Sequence, residues 1–284
     1  MKISYIQGYD IRSTETRISF NLKDKLTERG IQIMFNECDK HCDYILSING
    51  LGINDTIVNI HNRYPDKKLI IYVWDMYPWT DYARGYDILK KCHQIWTPSY
   101  EVILRLKELY NIPEGKCRVI PTYVEFFEAD EKNVFNGNFV YHPVRLYEDK
   151  HLYWTDIACT TLNIPLLRSN HTLTKEEYRK KVLTCSFMVT EYFESSTGGL
   201  TLLEGYYHGK NILISDSIYQ GARDYFGDKA TYFKSENYTD FLIKMAVMWR
   251  NANNPVNIQC RREYCKNFTI DCMVDNIVNN LTNG

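Results

Sequence analysis

Residues 194–205 read ESSTGGLTLLEG and come shortly after 186–190, an apolar run that is typical of a buried strand. They predict a short loop that contains Gly198 and Gly199, followed by a helix that carries Glu204 one turn from its start. The two glycines let backbone N–H groups approach an anion closely. A carboxylate in the first turns of a helix can accept hydrogen bonds from two sugar hydroxyls, as an acidic residue does for ribose in dinucleotide-binding folds. A plain helix cap with an exposed Glu204 fits the same residues, because a Gly-Gly loop alone specifies no ligand.

Two cations follow another predicted strand, 138–142, in the segment PVRLYEDK at residues 143–150. Arg145 offers a planar fork for phosphate oxygens, and Lys150 adds a compact positive charge. A helix that begins nearby adds partial positive charge from its N-terminus. These features fit a diphosphate clamp, but the spacing alone favours ion pairs with Glu148 and Asp149 on a solvated surface.

Predicted strands and helices alternate along the whole chain, and the polar stretch 125–138 reads as a linker between two such halves. Alternation of this kind predicts parallel sheets that are covered by helices on both faces. The predicted strands are 2–6, which ends before Gly8, then 32–35, 44–48, 68–74, 94–97, 118–120, 138–142, 165–168, 186–190, 211–215 and 230–233. The predicted helices are 19–29, 100–110, 154–162, 174–183, 200–208 and 238–251.

The composition sets limits on function. The formal net charge is -1 and the pI is near 6.7, so no strong basic field is available for non-specific nucleic-acid binding. No stretch reaches about 18 apolar residues, so we expect no membrane span and a cytoplasmic protein. The nine cysteines are scattered, and we expect reduced thiols. Cys38, His41 and Cys42 lack a second ligand pair at zinc spacing, so we predict no metal site.

The order of strand, Arg-Leu-x-x-x-Lys, strand, helix, strand and Gly-Gly-Leu-Thr-Leu-Leu-Glu resembles the C-terminal half of the GT-B glycosyltransferases of family 4, the glycogen-synthase-like retaining group. Residues 212–216, 221–228 and 70–75 resemble further segments of that family. The resemblance implies an α/β protein with two Rossmann-like domains whose parallel sheets face a central cleft. The implied domains are 1–130 on the acceptor side and 131–265 for the nucleotide-sugar, with a C-terminal helix, 266–284, that can return to the first domain.

The resemblance implies a retaining glycosyltransferase that moves a hexosyl or pentosyl group from a nucleotide-diphosphate sugar to an acceptor hydroxyl. The co-substrate is the nucleotide-sugar, with no further cofactor. No metal is expected, because no Asp-x-Asp stands between apolar strands. The implied catalytic residues are Asp75, Arg145, Lys150 and Glu194. The implied donor-binding residues are Gly8, Arg145, Lys150, Ser196, Thr197, Gly198, Gly199, Leu200, Thr201 and Glu204, of which Glu204 would bind the ribose.

Three departures from the family pattern bear on these roles. Trp74 replaces a family histidine near the donor sugar, and Ser196 replaces the first glutamate of the Glu-x7-Glu segment, with Glu194 two residues earlier. The chain is also shorter than most members of that family, and the resemblance therefore implies a trimmed N-terminal half on the acceptor side. The acceptor is therefore open: a glycan, a protein, a small molecule or a modified nucleobase. For a nucleobase, the candidate groove residues are Trp79, Tyr82, Arg84 and Tyr86.

Three other functions remain open at this point. A nucleotide-sugar-binding protein without transferase activity would explain the loss of the family residues at positions 74 and 196. A glycosyltransferase that acts on a modified DNA base would use the aromatic residues named above. A GT-B-like epimerase would need an acid/base pair, and the sequence offers no clear one.

Overall fold

The computed structural model of the 284-residue chain describes residues 1–7, 14–49, 55–74, 86–130, 133–134, 137–143, 153–169, 173–191, 199–218 and 221–283. The strands are β1 (Lys2–Gln7), β2 (Gln32–Phe35), β3 (Tyr44–Asn49), β4 (Lys68–Val73), β5 (Gln94–Thr97), β6 (Cys117–Val119), β7 (Val140–His142), β8 (Leu166–Arg168), β9 (Phe187–Val189), β10 (Asn211–Ser215) and β11 (Thr231–Phe233). The helices are α1 (Thr14–Glu28), α2 (Asp55–Arg63), α3 (Tyr86–Lys91), α4 (Tyr100–Tyr110), α5 (Trp154–Thr161), α6 (Lys175–Thr184), α7 (Leu200–Tyr207), α8 (Ala222–Phe226), α9 (Tyr238–Arg250), α10 (Ile258–Cys265) and α11 (Ile270–Asn283).

The chain forms two compact units. The first comprises Met1–Tyr123 together with Ile270–Gly284, and the second comprises Val124–Thr269. Val124 directly precedes the polar stretch 125–138 and Phe127 lies within it, yet both are buried in the core of the second unit. Each unit is an α/β domain with its own sheet, as predicted.

The first sheet has the order β2-β1-β3-β4-β5-β6, and its strand pairs are all parallel. Side chains of β4 alternate between two apolar cores: Leu69 and Ile71 pack on the α2–α4 face, while Ile70 and Tyr72 pack on the α1–α11 face. A parallel sheet that is covered on both faces needs apolar residues on both sides of its strands, which is why 68–74 reads as a continuous apolar run.

The second sheet has the order β11-β10-β9-β7-β8, again with parallel pairs throughout. Its core side chains lie on one face with helices α6, α7, α8 and α10, and on the other with α5 and α9. Counted from β7, this is the doubly wound order 2-1-3-4-5, in which the winding direction reverses between the first and third strands. The reversal therefore lies between β7 and β9.

Helix α11 belongs to the first unit, where it packs against α1. Its buried residues are Met273, Val274, Ile277 and Leu281, which recur at the three- and four-residue spacing of one helix face. The Tyr44 hydroxyl donates to the Leu281 carbonyl oxygen at 2.9 Å, which fastens the last turn of α11 to β3. Helix α11 thus contributes to the same apolar core as β1 and α1.

Three short helices, α2, α3 and α8, were not among the predicted elements. Within the part of the chain that the structure describes, no helix has the combination of length and apolar character that crossing a bilayer requires.

Candidate functional site

The reversal point of the second sheet brings the carboxyl ends of β7 and β9 side by side. Val140 pairs with Phe187 and Tyr141 with Met188, so the segments that leave these two strands begin at the same edge. In doubly wound sheets, ligands bind outside the carboxyl ends of the strands at such a point. Several implied site residues lie in sequence just after these strands or after β1 and β4, outside the described residues: Gly8, Asp75, Arg145, Lys150, Glu194, Ser196, Thr197 and Gly198.

Helix α7 carries the implied donor-binding residues that the structure describes. It begins at Leu200, directly after Gly199, whose φ of +83° lies in the left-handed region. A side chain at that backbone conformation would be strained, so the glycine at this helix start has a structural reason. Thr201 and Glu204 follow on the same helix, and both are half-buried.

Gly205 allows α7 to lie close to β9. A Cβ atom at this position would stand 2.0 Å from the sulfur of Met188, a fully buried residue of β9. The absence of a side chain therefore sets the distance between the helix and the strand.

The Glu204 carboxylate is held by a partner on the neighbouring helix. The Tyr178 hydroxyl of α6 donates a hydrogen bond to Glu204 Oε2. Burial, followed by the negative charge of Glu204 and this hydrogen bond, raises the pKa of Tyr178 well above its usual 10. Glu204 is therefore not an exposed side chain, since it is half-buried and hydrogen-bonded.

A second carboxylate, Glu191, lies at the carboxyl end of β9 and is fully buried. Its Oε2 accepts hydrogen bonds from the backbone N–H of Thr155, at 2.7 Å, and from the Thr155 hydroxyl. Thr155 is the second residue of α5, and its N–H is one of those that a helix start leaves without an intrahelical acceptor. Glu191 thus caps α5 from another strand, and its negative charge suits the helix N-terminus.

Arg168, the last residue of β8, extends this network. Its Nε donates to Asp156 Oδ1 at 3.1 Å, and its second terminal nitrogen donates to Asp156 Oδ2. The same nitrogen lies 3.9 Å from Glu191 Oε1. Charged side chains therefore connect the carboxyl ends of β8 and β9 with the first turn of α5, which begins where the segment after β7 ends.

Sequence reasoning missed Tyr178, Glu191 and Arg168. Each belongs to an ordinary-looking stretch, and its partner lies far along the chain, so no local spacing marks it. The one available signal was Glu191, which directly follows an apolar strand. Charged residues are rare at such positions, because the end of an apolar strand is usually buried.

Trp74 follows β4 and is a core residue of the first unit. It is 3% exposed and packs beside Tyr72, with 5.0 Å between ring centroids. This tryptophan extends the apolar alternation of β4 by one residue on the α1–α11 face.

No group of three or more His, Cys, Asp and Glu side chains is placed to hold a metal ion among the described residues. Near Cys38 and Cys42, both free thiols, Asp39 forms an ion pair with the Lys2 ammonium group at 2.5 Å.

No protein-family profile matches the sequence, and no curated protein matches it. Solved structures match over almost the entire chain. The lipopolysaccharide outer core galactosyltransferase WaaB, in its apo form, has 12% identity and a TM-score of 0.73, with 100% of this chain and 99% of that one covered. HepE from Anabaena in complex with UDP has 10% identity and a TM-score of 0.69, with both chains covered completely.

A third similar structure is the sucrose-phosphate synthase from Thermosynechococcus elongatus, with 10% identity, a TM-score of 0.69, and 99% of this chain and 98% of that one covered. All three are glycosyltransferases of the GT-B type. At this level of identity the likeness concerns the fold: the chain has the two-domain GT-B fold of these glycosyltransferases.

Proposed function

We propose that the chain is a glycosyltransferase that takes its sugar from a nucleoside-diphosphate sugar and retains the anomeric configuration. The observation that carries the proposal is the position of α7. This helix starts at Gly199 after the strand at the reversal point of the second sheet, and it presents a half-buried Glu204 that a neighbouring helix holds in place. A nucleotide bound at this edge would find an acceptor for its ribose there.

The nucleoside diphosphate that we test first is UDP, because HepE has been crystallised with UDP and with UDP-glucose. In the proposed complex, Arg145 and Lys150 neutralise the diphosphate, and Glu204 accepts the ribose hydroxyls. Gly199, Leu200 and Thr201 bring the start of α7 close to the sugar and the phosphates, together with Ser196, Thr197 and Gly198.

The proposed reaction needs few protein groups. The bond between the sugar and the leaving phosphate breaks while the acceptor hydroxyl attacks from the same face, and the leaving phosphate takes the acceptor's proton. Negative charge grows on the diphosphate, so fixed cations lower the barrier. Because Arg145 and Lys150 supply that positive charge, we propose that no metal ion is required. Glu194 would position the sugar, and Asp75 would not be needed as a base.

Binding and turnover can be separated experimentally. Calorimetry with UDP, GDP and ADP identifies the nucleotide, and slow hydrolysis of the matching sugar donors, measured with and without excess EDTA, reports catalysis. We expect one nucleotide to bind. We expect its sugar donor to be hydrolysed at the same rate with and without excess EDTA. Binding without any hydrolysis or transfer would identify a binding protein instead. Loss of turnover in EDTA, restored by Mn²⁺, would contradict the metal-independent mechanism.

A further inference from the structure

The hydrogen bond between α6 and α7 carries an inference about nucleotide recognition. Tyr178 and Glu204 are separated by 26 residues, yet the tyrosine hydroxyl donates to one oxygen of the carboxylate. The Tyr178 ring is partly buried and packs against the second unit's core, with its centroid 6.4 Å from that of the Tyr141 ring on β7. Because the core fixes the ring, the hydroxyl has a fixed position, and so does the carboxylate oxygen that it contacts.

The direction of this hydrogen bond is defined by chemistry. Burial and the adjacent charge of Glu204 keep the Tyr178 hydroxyl protonated through neutral and mildly alkaline pH. An ionised carboxylate only accepts hydrogen bonds, and its two oxygens offer about four acceptor positions. The Tyr178 hydroxyl occupies one of these positions and thereby orients the carboxylate.

A glutamate side chain ordinarily loses rotamer freedom when it binds a ligand. Fixing it beforehand removes this cost and raises affinity for any ligand that matches the fixed orientation. A pair of neighbouring hydroxyls, as in the cis-diol of ribose, matches the two oxygens of one carboxylate.

We propose that Tyr178 is a positioning residue for the nucleotide: it holds Glu204 in the orientation that accepts both ribose hydroxyls, and it thereby sets the preference for ribonucleotides over deoxyribonucleotides. The inference rests on the proposed function, since it takes Glu204 as the group that meets the ribose. In this proposal Tyr178 acts through Glu204 and makes no direct contact with the nucleotide.

The test compares UDP with 2′-deoxy-UDP by calorimetry on the wild-type chain and on Tyr178→Phe, which keeps the ring and removes the hydroxyl. We expect the wild type to bind UDP at least about tenfold more tightly than 2′-deoxy-UDP, because charge-assisted hydrogen bonds have this strength. In Tyr178→Phe we expect the ratio of the two affinities to fall below about threefold. Both affinities come from one preparation, so an unfolded fraction changes the number of sites and not the ratio.

Tyr141→Phe is the matched control. It removes a buried tyrosine hydroxyl that bonds Ser169, at 2.6 Å, in the same core. We expect it to leave the ratio unchanged. As a second measurement, the rise in melting temperature with saturating UDP should exceed that with 2′-deoxy-UDP in the wild type and in Tyr141→Phe, and by a smaller margin in Tyr178→Phe.

The outcomes separate the two proposals. If Tyr178→Phe weakens both ligands equally, its role is structural and the inference is overturned. If the wild type binds UDP without discriminating against the deoxy form, the inference is overturned while donor binding stands. If the wild type binds none of UDP, GDP and ADP, the proposed function fails and the inference fails with it.

Discussion

The imidazole of His208 is fully buried beside the ring of Phe127, with 4.2 Å between centroids. Burial, reinforced by the positive charge of Arg262, lowers the pKa of His208 from 6.5 to about 4. The folded protein therefore keeps this histidine neutral at pH values where the unfolded chain protonates it.

This histidine predicts a pH dependence of stability. Between about pH 6.5 and pH 4 the unfolded state binds one more proton, so the free energy of unfolding decreases as the pH falls through this window, by up to about 3 kcal/mol. Urea unfolding at a series of pH values measures the slope. His208→Gln should flatten it, whereas His93→Gln, at an exposed position, should not. An identical slope in wild type and His208→Gln would contradict the assignment.

Arg145 tests the proposed catalysis at the level of one charge. Arg145→Ala should lower kcat/KM roughly 30- to 1000-fold, a loss of about 2 to 4 kcal/mol of transition-state stabilisation. The reason is that the cation offsets negative charge that develops on the leaving diphosphate. Asp75→Asn should cost far less if the leaving phosphate takes the proton.

The control for Arg145→Ala is Arg250→Ala, at the exposed end of α9. A change of less than threefold in kcat/KM of Arg145→Ala would contradict the assignment of Arg145 to the diphosphate clamp.

An α-linked donor should give an α-linked product, which the anomeric proton coupling reports by NMR. A β-linked product would make Asp75 the candidate base.

At the level of single residues, the sequence predicted donor contacts where a local motif exists, as at Gly199 and Glu204. It could not predict that Tyr178 bonds Glu204, because the pairing depends on how two helices pack on one face of the sheet. Glu191 was missed for a similar reason, since its partner Thr155 lies on a helix that precedes it by more than thirty residues.

The packing of α7 on β9 depends on Gly205. In Gly205→Ala the new methyl group overlaps the buried sulfur of Met188, and overpacking of this kind costs about 1 to 3 kcal/mol. Gly115→Ala is a matched control, since no atom lies within 4 Å of a Cβ there. Unfolding free energies measure both. Combining Gly205→Ala with Met188→Ala should cost less than the two single changes added together, and strict additivity would contradict the clash.

Helix α5 depends on Glu191 for its start. Glu191→Ala leaves the buried N–H and hydroxyl of Thr155 without this acceptor and removes a negative charge from near Arg168, so we expect a loss of about 3 kcal/mol. Glu263→Ala, which breaks the exposed ion pair with Lys266, should change stability by less than about 1 kcal/mol. Equal effects of the two changes would show that the Glu191 network is unimportant.

Among the elements, strands were predicted well where burial on both faces produces a continuous apolar run, as in β4 and β10. Helix α4 was predicted at its observed bounds, and it stops at Asn111 in the left-handed conformation. Helix α2 was missed because Thr56, Ile57 and Val58 favour strands by their branching and hide a short amphipathic helix. Ile57 of this helix is buried in the core on the α2–α4 face of the first sheet.

On the scale of the whole molecule, the chain builds most of the first unit, then the second, and ends by returning to the first. Both units repeat one plan, a parallel sheet with apolar cores on its two faces. Composition and alternation predict this plan. They do not define where one core ends and the next begins, because Phe127 takes part in the second core from within the polar stretch 125–138.

The return of the chain makes the first unit depend on its last helix. A chain that stops after Thr269 lacks α11, whose four buried apolar side chains contribute on the order of 6 to 12 kcal/mol to burial. That amount is comparable with the whole stability of a typical domain. The truncation should therefore unfold the first sheet and leave the second, which has its own cores, folded.

Hydrogen exchange read by mass spectrometry should show protection lost from β1, β3 and β4 and kept in β9 and β10. A chain that stops after Leu281 keeps all four buried side chains and should retain protection in both sheets. If removal of α11 left β1, β3 and β4 as protected as in the full chain, the C-terminal helix would not be a required part of the first core.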